Sequence, residues 1–139
     1  METIVVGVDG SESSQRALEW AAAEARLRNA RLRVVLAWFE VFVSGWFATS
    51  ALYYSEEIRQ AAQDELDKAV ASIPAGSPEI EVESVLAHTS PELALIEESK
   101  HASLVVVGSR GRGGFAGLVL GSTSHQVVQH AECPVVVIR

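Results

Sequence analysis

One cysteine, Cys133, stands in a chain of 139 residues. It excludes an intrachain disulfide and fits a reducing compartment. Basic residues are scarce: eleven Lys and Arg face eighteen Asp and Glu, for a net charge of −7. That argues against nucleic acid as a partner, since non-specific binding needs positive charge to release counterions. A small-ligand site stays compatible, because a local field can oppose the global sign. Spanning segments are missing as well. The uncharged stretch from Val41 to Tyr54 is broken by Ser and Gly and falls short of the ~20 residues a bilayer requires. No membrane association is expected. The first residues carry no basic segment and no signal-length apolar run, so a cytoplasmic location is expected. The four histidines, at 88, 101, 125 and 130, show no metal-ligand spacing. What is present is a globular composition, 48% hydrophobic and 21% charged. It suits a single domain over residues 1–139.

The order of apolar runs suggests an alternating α/β chain. Thr3 to Asp9 is a β-branched run ending at Asp-Gly-Ser, a strand buried on both faces. Ser11 and Ser13 are candidate caps for a helix reaching Asn29, with Leu18, Ala21, Ala22 and Ala25 on its apolar stripe. A second strand spans Leu32 to Trp38. After a long connection, apolar spacing predicts a helix from about Ser55 to Ser72. A third strand, Ile80 to Leu86, alternates in its first half, as an edge strand does. Ser90-Pro91-Glu92 opens a third helix. Leu104 to Gly108 is a fully apolar strand, Ser122 to His130 a short helix, and Pro134 to Ile138 the last strand. Such alternation builds a five-stranded, doubly wound parallel sheet with helices on both faces. Ligands bind these sheets beyond the carboxyl ends of strands, where the strand order reverses. The loops after Val8 and Val107 are therefore the expected functional ones.

The second of these loops is rich in glycine, from Gly108 through Gly111, Gly113 and Gly114 to Gly121. Arg110 and Arg112 bring positive charge to it. Gly121, Ser122, Thr123 and Ser124 supply hydroxyls and N–H groups at a helix N-terminus, a ready anion site. A flexible loop with a serine cap fits the same residues. The segment is not a P-loop, because no Lys-Ser/Thr pair closes it. Gly111-Arg-Gly113-Gly-Phe-Ala116 has the form G-x-G-x-x-A, but it does not follow the strand directly and no acid lies ~20 residues on. A receiver domain is excluded as well, since the third strand ends without an aspartate.

Gly108-x2-Gly111-x9-Gly121-Ser122 resembles the ATP-binding motif G-x2-G-x9-G-[ST] of the universal stress protein family. The opening Ile-Val-Val-Gly-Val-Asp-Gly-Ser and the closing His130-Ala-x-Cys133-Pro134-Val-Val-Val-Ile are similar to that family's first strand and ending. The resemblance implies a Rossmann-like sheet of order 3-2-1-4-5. It places Val8 and Asp9 near the nucleoside or metal-bound phosphates, and Ala37 beside adenine. Val107 and Gly108 would lie under the ribose. Arg110, Gly111, Arg112, Gly113, Gly121, Ser122, Thr123 and Ser124 would line the phosphates. The implied ligand is ATP with Mg or Mn held mainly by the phosphates, with AMP and cyclic AMP as alternatives. Thr89 and Ser103 stand where the family often has Gly and Asp.

The resemblance also implies homodimers, and the edge strand Pro134 to Arg139 is the expected contact. No nucleophile–base pair is visible in sequence, so hydrolysis of ATP, if any, is expected to be slow. The expected function is a ligand-dependent stress or signalling switch. Two other classes stay open. One is a dimeric interaction scaffold with an unused site; the other is an ATP-cleaving enzyme of the adenine-nucleotide α-hydrolase-like group. Asp9 fits a turn residue as well as a ligand. Cys133 reads as an inert buried thiol. Seven of nine aromatics lie between Trp38 and Tyr54. They suit a segment packed over the helices and second strand, a flap over the adenine edge, or a partner surface.

Overall fold

The computed structural model describes residues 1–39, 48–110 and 120–139, with backbone only for 48–54. Its elements are β1 (Thr3–Gly7), α1 (Glu12–Arg28), β2 (Arg31–Trp38), α2 (Ala48–Ala71), β3 (Val82–His88), α3 (Pro91–Ser99), β4 (Leu104–Gly108), α4 (Ser122–His130) and β5 (Val135–Ile138). The strands form one parallel sheet in the order β3-β2-β1-β4-β5. β3 is at one edge, as its alternation implied, and the β-branched β1 and fully apolar β4 are inside.

Side chains alternate across this sheet and so divide the core into two layers. Ile4, Val6, Leu32, Val34, Leu104 and Val106 face α1 and α2. Val5, Val35, Val105 and Val107 face α3 and α4, where they meet Ala94, Leu95 and Val127. The buried stripe of α1 is mostly alanine: Ala17, Ala21, Ala22 and Ala25, with Leu18 the one large side chain. Small residues let this helix lie close to β1 and β4.

Local chemistry sets the ends of α1. Ser11 accepts a hydrogen bond from the Ser14 N–H through Oγ, as an N-cap does. Asn29 ends the helix in the left-handed conformation, φ 53°, and its N–H donates to the Ala25 and Arg26 carbonyls. The serine before α3 behaves differently. Ser90 occupies the cap position ahead of Pro91, yet its side chain makes no cap bond.

Two boundaries differ from the sequence expectation. Helix α2 begins at Ala48, seven residues before the expected Ser55. The segment between them contains neither Gly nor Pro to stop a helix, and its lack of charge hides the amphipathic signal. Strand β3 runs Val82–His88, two residues later than expected. Its register extends to the end of β2, where Trp38 pairs with His88. Their rings stack with centroids 4.1 Å apart and planes 6° from parallel. The remaining question about the aromatic segment falls on 40–47 and on the side chains of 48–54, outside the described residues.

On the α3 face, Arg33 joins elements distant in sequence. Its guanidinium donates to Glu98 of α3 at 2.6 Å and to Glu83 of β3 at 2.7 Å. The hydrogen bond to Glu98 is the main reason that its pKa is raised. This pairing holds the C-terminal half of α3 over β2.

Cys133 precedes β5 and is half-buried rather than buried. Burial pushes its thiol above the ordinary value, so the reactive thiolate is scarce at neutral pH. Alkylation by iodoacetamide at pH 8 is therefore expected to be slower for the folded protein than for the protein in denaturant. Equal rates in the two states would show an accessible, unperturbed thiol.

Candidate functional site

The order 3-2-1-4-5 turns between β1 and β4, and a cleft opens there, beyond their carboxyl ends. It is open to solvent. Three helices begin at its rim: α1, α3 and α4.

The β1 side is shaped by a tight turn. Gly10 has φ 83°, a conformation that side chains other than glycine's rarely adopt. The turn brings Asp9 back over the start of α1. Asp9 Oδ1 accepts from the Ser11 N–H at 2.9 Å, and its own N–H donates to Ser14 Oγ at 3.2 Å. Asp9 is thus a turn residue and also part of the cleft wall. The turn reading is met by this hydrogen bond, and the ligand role stays a proposal.

On the β4 side, α1 comes so close that a side chain has no room. A Cβ on Gly108 would lie 2.4 Å from Ser13 Oγ and 2.8 Å from the Ser13 carbonyl carbon. The second contact is with backbone, which cannot swing aside. Gly108→Ala is expected to destabilise the fold by about 1–3 kcal/mol through overpacking. A denaturant midpoint equal to wild type would contradict this.

The glycine-rich segment is fixed at its two flanks. Ser109 is buried, and its carbonyl accepts from the Gly121 N–H at 2.6 Å and from Ser124 Oγ at 3.2 Å. Gly121 is the N-cap of α4, with extended φ and ψ and no capping side chain. The positive end of the α4 dipole therefore has no serine, threonine, asparagine or aspartate side chain folded over it.

Of the residues singled out from sequence, Val8, Asp9, Ala37, Val107, Gly108, Arg110, Thr123 and Ser124 line the cleft. Gly121 and Ser122 stand at the start of α4 without lining it. Gly111, Arg112 and Gly113 lie outside the described residues. Ser124 is 2% exposed, and its hydroxyl donates inward, to the Ser109 and Gly121 carbonyls. Its place in the wall comes with a structural task.

Sequence reasoning missed Gly7, Ser14, Val35, Pro91 and Leu95, which complete the wall. Val35 had a readable signal, since it lies two residues before Ala37 on the same strand face. Pro91 and Leu95 had none, because the crossover alone brings α3 to this site. Together they make the cleft two-sided. β2 and α3 give the wall apolar residues, Val35, Ala37, Pro91 and Leu95; the β1–α1 and β4–α4 connections give it polar ones, Asp9, Ser14, Arg110 and Thr123, with Val8 and Val107 between.

Comparison with known proteins gives this arrangement a family. A universal stress protein of Mycobacterium tuberculosis is 38% identical over 136 residues, covering 98% of this chain. The alignment covers 44% of that relative, so the chain spans less than half the length of the curated relatives it matches. The fold superposes on the universal stress protein UspA of Lactobacillus plantarum with TM-score 0.78 at 23% identity, covering 99% of this chain and 97% of that one. It also superposes on a universal stress protein solved in complex with cAMP, with TM-score 0.62 and 28% identity, covering 99% and 96% of the two chains. The family model described as the universal stress protein family matches residues 1–139. By the family model over its whole length and its identity to these relatives, the chain belongs to the universal stress protein family.

Proposed function

We propose that the cleft binds an adenine nucleotide and that occupancy switches the protein between two states. The observation that carries this reading is the division of the cleft. The apolar wall of Val35, Ala37, Pro91 and Leu95 suits a flat, weakly polar base. The polar wall suits an anion, with Arg110 beside the start of α4. A base and a phosphate held by these two walls describe a nucleotide. The related protein solved with cAMP supports the adenine class. ATP is the form that the glycine spacing favours, with AMP and cyclic AMP as competitors for the same site.

A divalent ion would be held mainly by the phosphates. Among the described residues, no three His, Cys, Asp or Glu gather to hold one, and Mg²⁺ commonly relies on phosphate oxygens. Asp9 is the carboxylate of the cleft wall nearest in kind to a metal partner. Hydrolysis is at most slow in this reading. Asp9 already serves the Ser11 N–H, and a site built around one engaged carboxylate is poorly equipped to activate water.

The same reading gives a place for a second copy. Strand β5 is an edge of the sheet, half-buried along its length and uncharged from Val135 to Ile138. Pairing of two such edges would cover them. A cytoplasmic location accords with the reading; among the described residues no helix is long and apolar enough to cross a membrane.

Displacement of a fluorescent adenine nucleotide tests the assignment. ATP, AMP and cyclic AMP are expected to displace it, and inorganic phosphate or a pyrimidine nucleotide far less. Equal displacement by a pyrimidine nucleotide would contradict recognition of adenine. No binding by any nucleotide would leave an interaction scaffold as the better description.

A further inference from the structure

The cleft and strand β5 meet at Ser109. Its N–H donates to the Ile138 carbonyl at 2.7 Å, and its carbonyl receives Gly121 and Ser124. One residue thus links the last position of β5 to the first turn of α4. Ser13 closes a second path. Its Oγ accepts from the Arg110 N–H at 3.4 Å and donates to the same Ile138 carbonyl at 3.4 Å. Ser13 is 7% exposed and does not line the cleft, whereas Arg110 does. Both Ser13 bonds are long by hydrogen-bond standards. They are the links of this ring that a small shift changes most.

Among the described residues, strand β5 has β4 alone as a strand neighbour. Its faces pack against α1 and α4, and its backbone order rests on pairing with β4 and on the bonds at its ends. We infer that Ser109 and Ser13 couple occupancy of the cleft to the ordering of β5, with Ser13 as the positioning side chain. The inference rests on the proposed nucleotide site. An anion at the start of α4 draws Arg110 and Gly121 toward it. The Arg110 amide then moves with respect to Ser13, and the Ser109 peptide is held more firmly against Ile138. By linkage, anything that pairs with β5 changes nucleotide affinity by the factor with which nucleotide changes that pairing.

Amide hydrogen exchange tests this, with the strand at the opposite edge as internal reference. Wild type and Ser13→Ala are compared with and without saturating MgATP, and calorimetry establishes that each is loaded. In wild type, nucleotide is expected to slow exchange of the β5 amides about tenfold more than those of β3. Ser13→Ala removes one oxygen and is expected to bind nucleotide while losing most of that excess at β5. Ser13→Thr keeps a hydroxyl and is expected to retain it. Binding by wild type with equal slowing at β3 and β5 would overturn the coupling and leave the nucleotide site standing. Full retention of the excess in folded Ser13→Ala would remove Ser13 from the path. No calorimetric binding by wild type would overturn the nucleotide reading, and the coupling with it. The wild-type comparison of β5 with β3 decides the coupling even if the alanine variant does not fold.

Discussion

Gly121→Asp is expected to weaken ATP binding at least ~10-fold, or ~1.4 kcal/mol, while leaving the protein folded. The two halves of this result come from one position. Gly121 is the N-cap of α4 and has the extended backbone that a cap requires. Aspartate is among the best cap residues, so the new side chain can bond to the first N–H groups of the helix. The fold should lose little from that bond. Those N–H groups and the positive end of the dipole are what a phosphate would use. The carboxylate would occupy them and repel the incoming anion. Chemical denaturation and nucleotide titration on the same preparation separate the effects. A folded variant with wild-type affinity would show that phosphate does not sit at the start of α4.

Leu18→Ala is expected to cost about 2–5 kcal/mol of stability. Leu18 is 1% exposed and is the large side chain in an otherwise alanine stripe. It packs in the core layer formed with Ile4, Val34 and Val106. Nearby alanines cannot extend to fill the gap, and β1 and β4 are held by pairing on both sides. Collapse around the lost side chain is therefore limited, which favours the upper part of the range. Since domains of this kind are stable by only about 5–15 kcal/mol, the variant should be partly unfolded at modest denaturant concentration. A loss below 1 kcal/mol would mean that the core layer relaxes into the space far more than its strand pairing suggests.

Legibility in the sequence followed the strength of each physical signal. β1 and β4 were readable because a strand covered on both faces must be apolar throughout. Their central position followed from the same apolarity, and the strand order from the family resemblance. The edge position of β3 was readable from its alternating start. The start of α2 was not, because Ala48 to Tyr54 has no charged face to set against an apolar one. The late register of β3 was not, because it depends on the pairing of Trp38 with His88.

The site divides in the same way. Asp9, Gly108, Arg110 and Thr123 were legible as cleft residues from strand ends and the glycine-rich segment, and Ala37 from the family resemblance. The wall supplied by Pro91 and Leu95 exists only after α3 crosses to β4. The sequence suggested a ligand role for Gly108; the structure adds a packing one, the close approach of Ser13. Likewise Ser124 was assigned by its place at a helix start, and its hydroxyl turns out to bind the flanks of the loop together. Side-chain direction is the part of the site that residue spacing does not encode.

The central claim is that the divided cleft holds one adenine nucleotide. Calorimetric titration of the purified protein with MgATP tests it most directly, preceded by acid extraction to detect and remove co-purified nucleotide. The account predicts micromolar binding near one per chain, lost in Gly121→Asp. No heat from nucleotide-free protein, and no competition by ATP analogues, would contradict it.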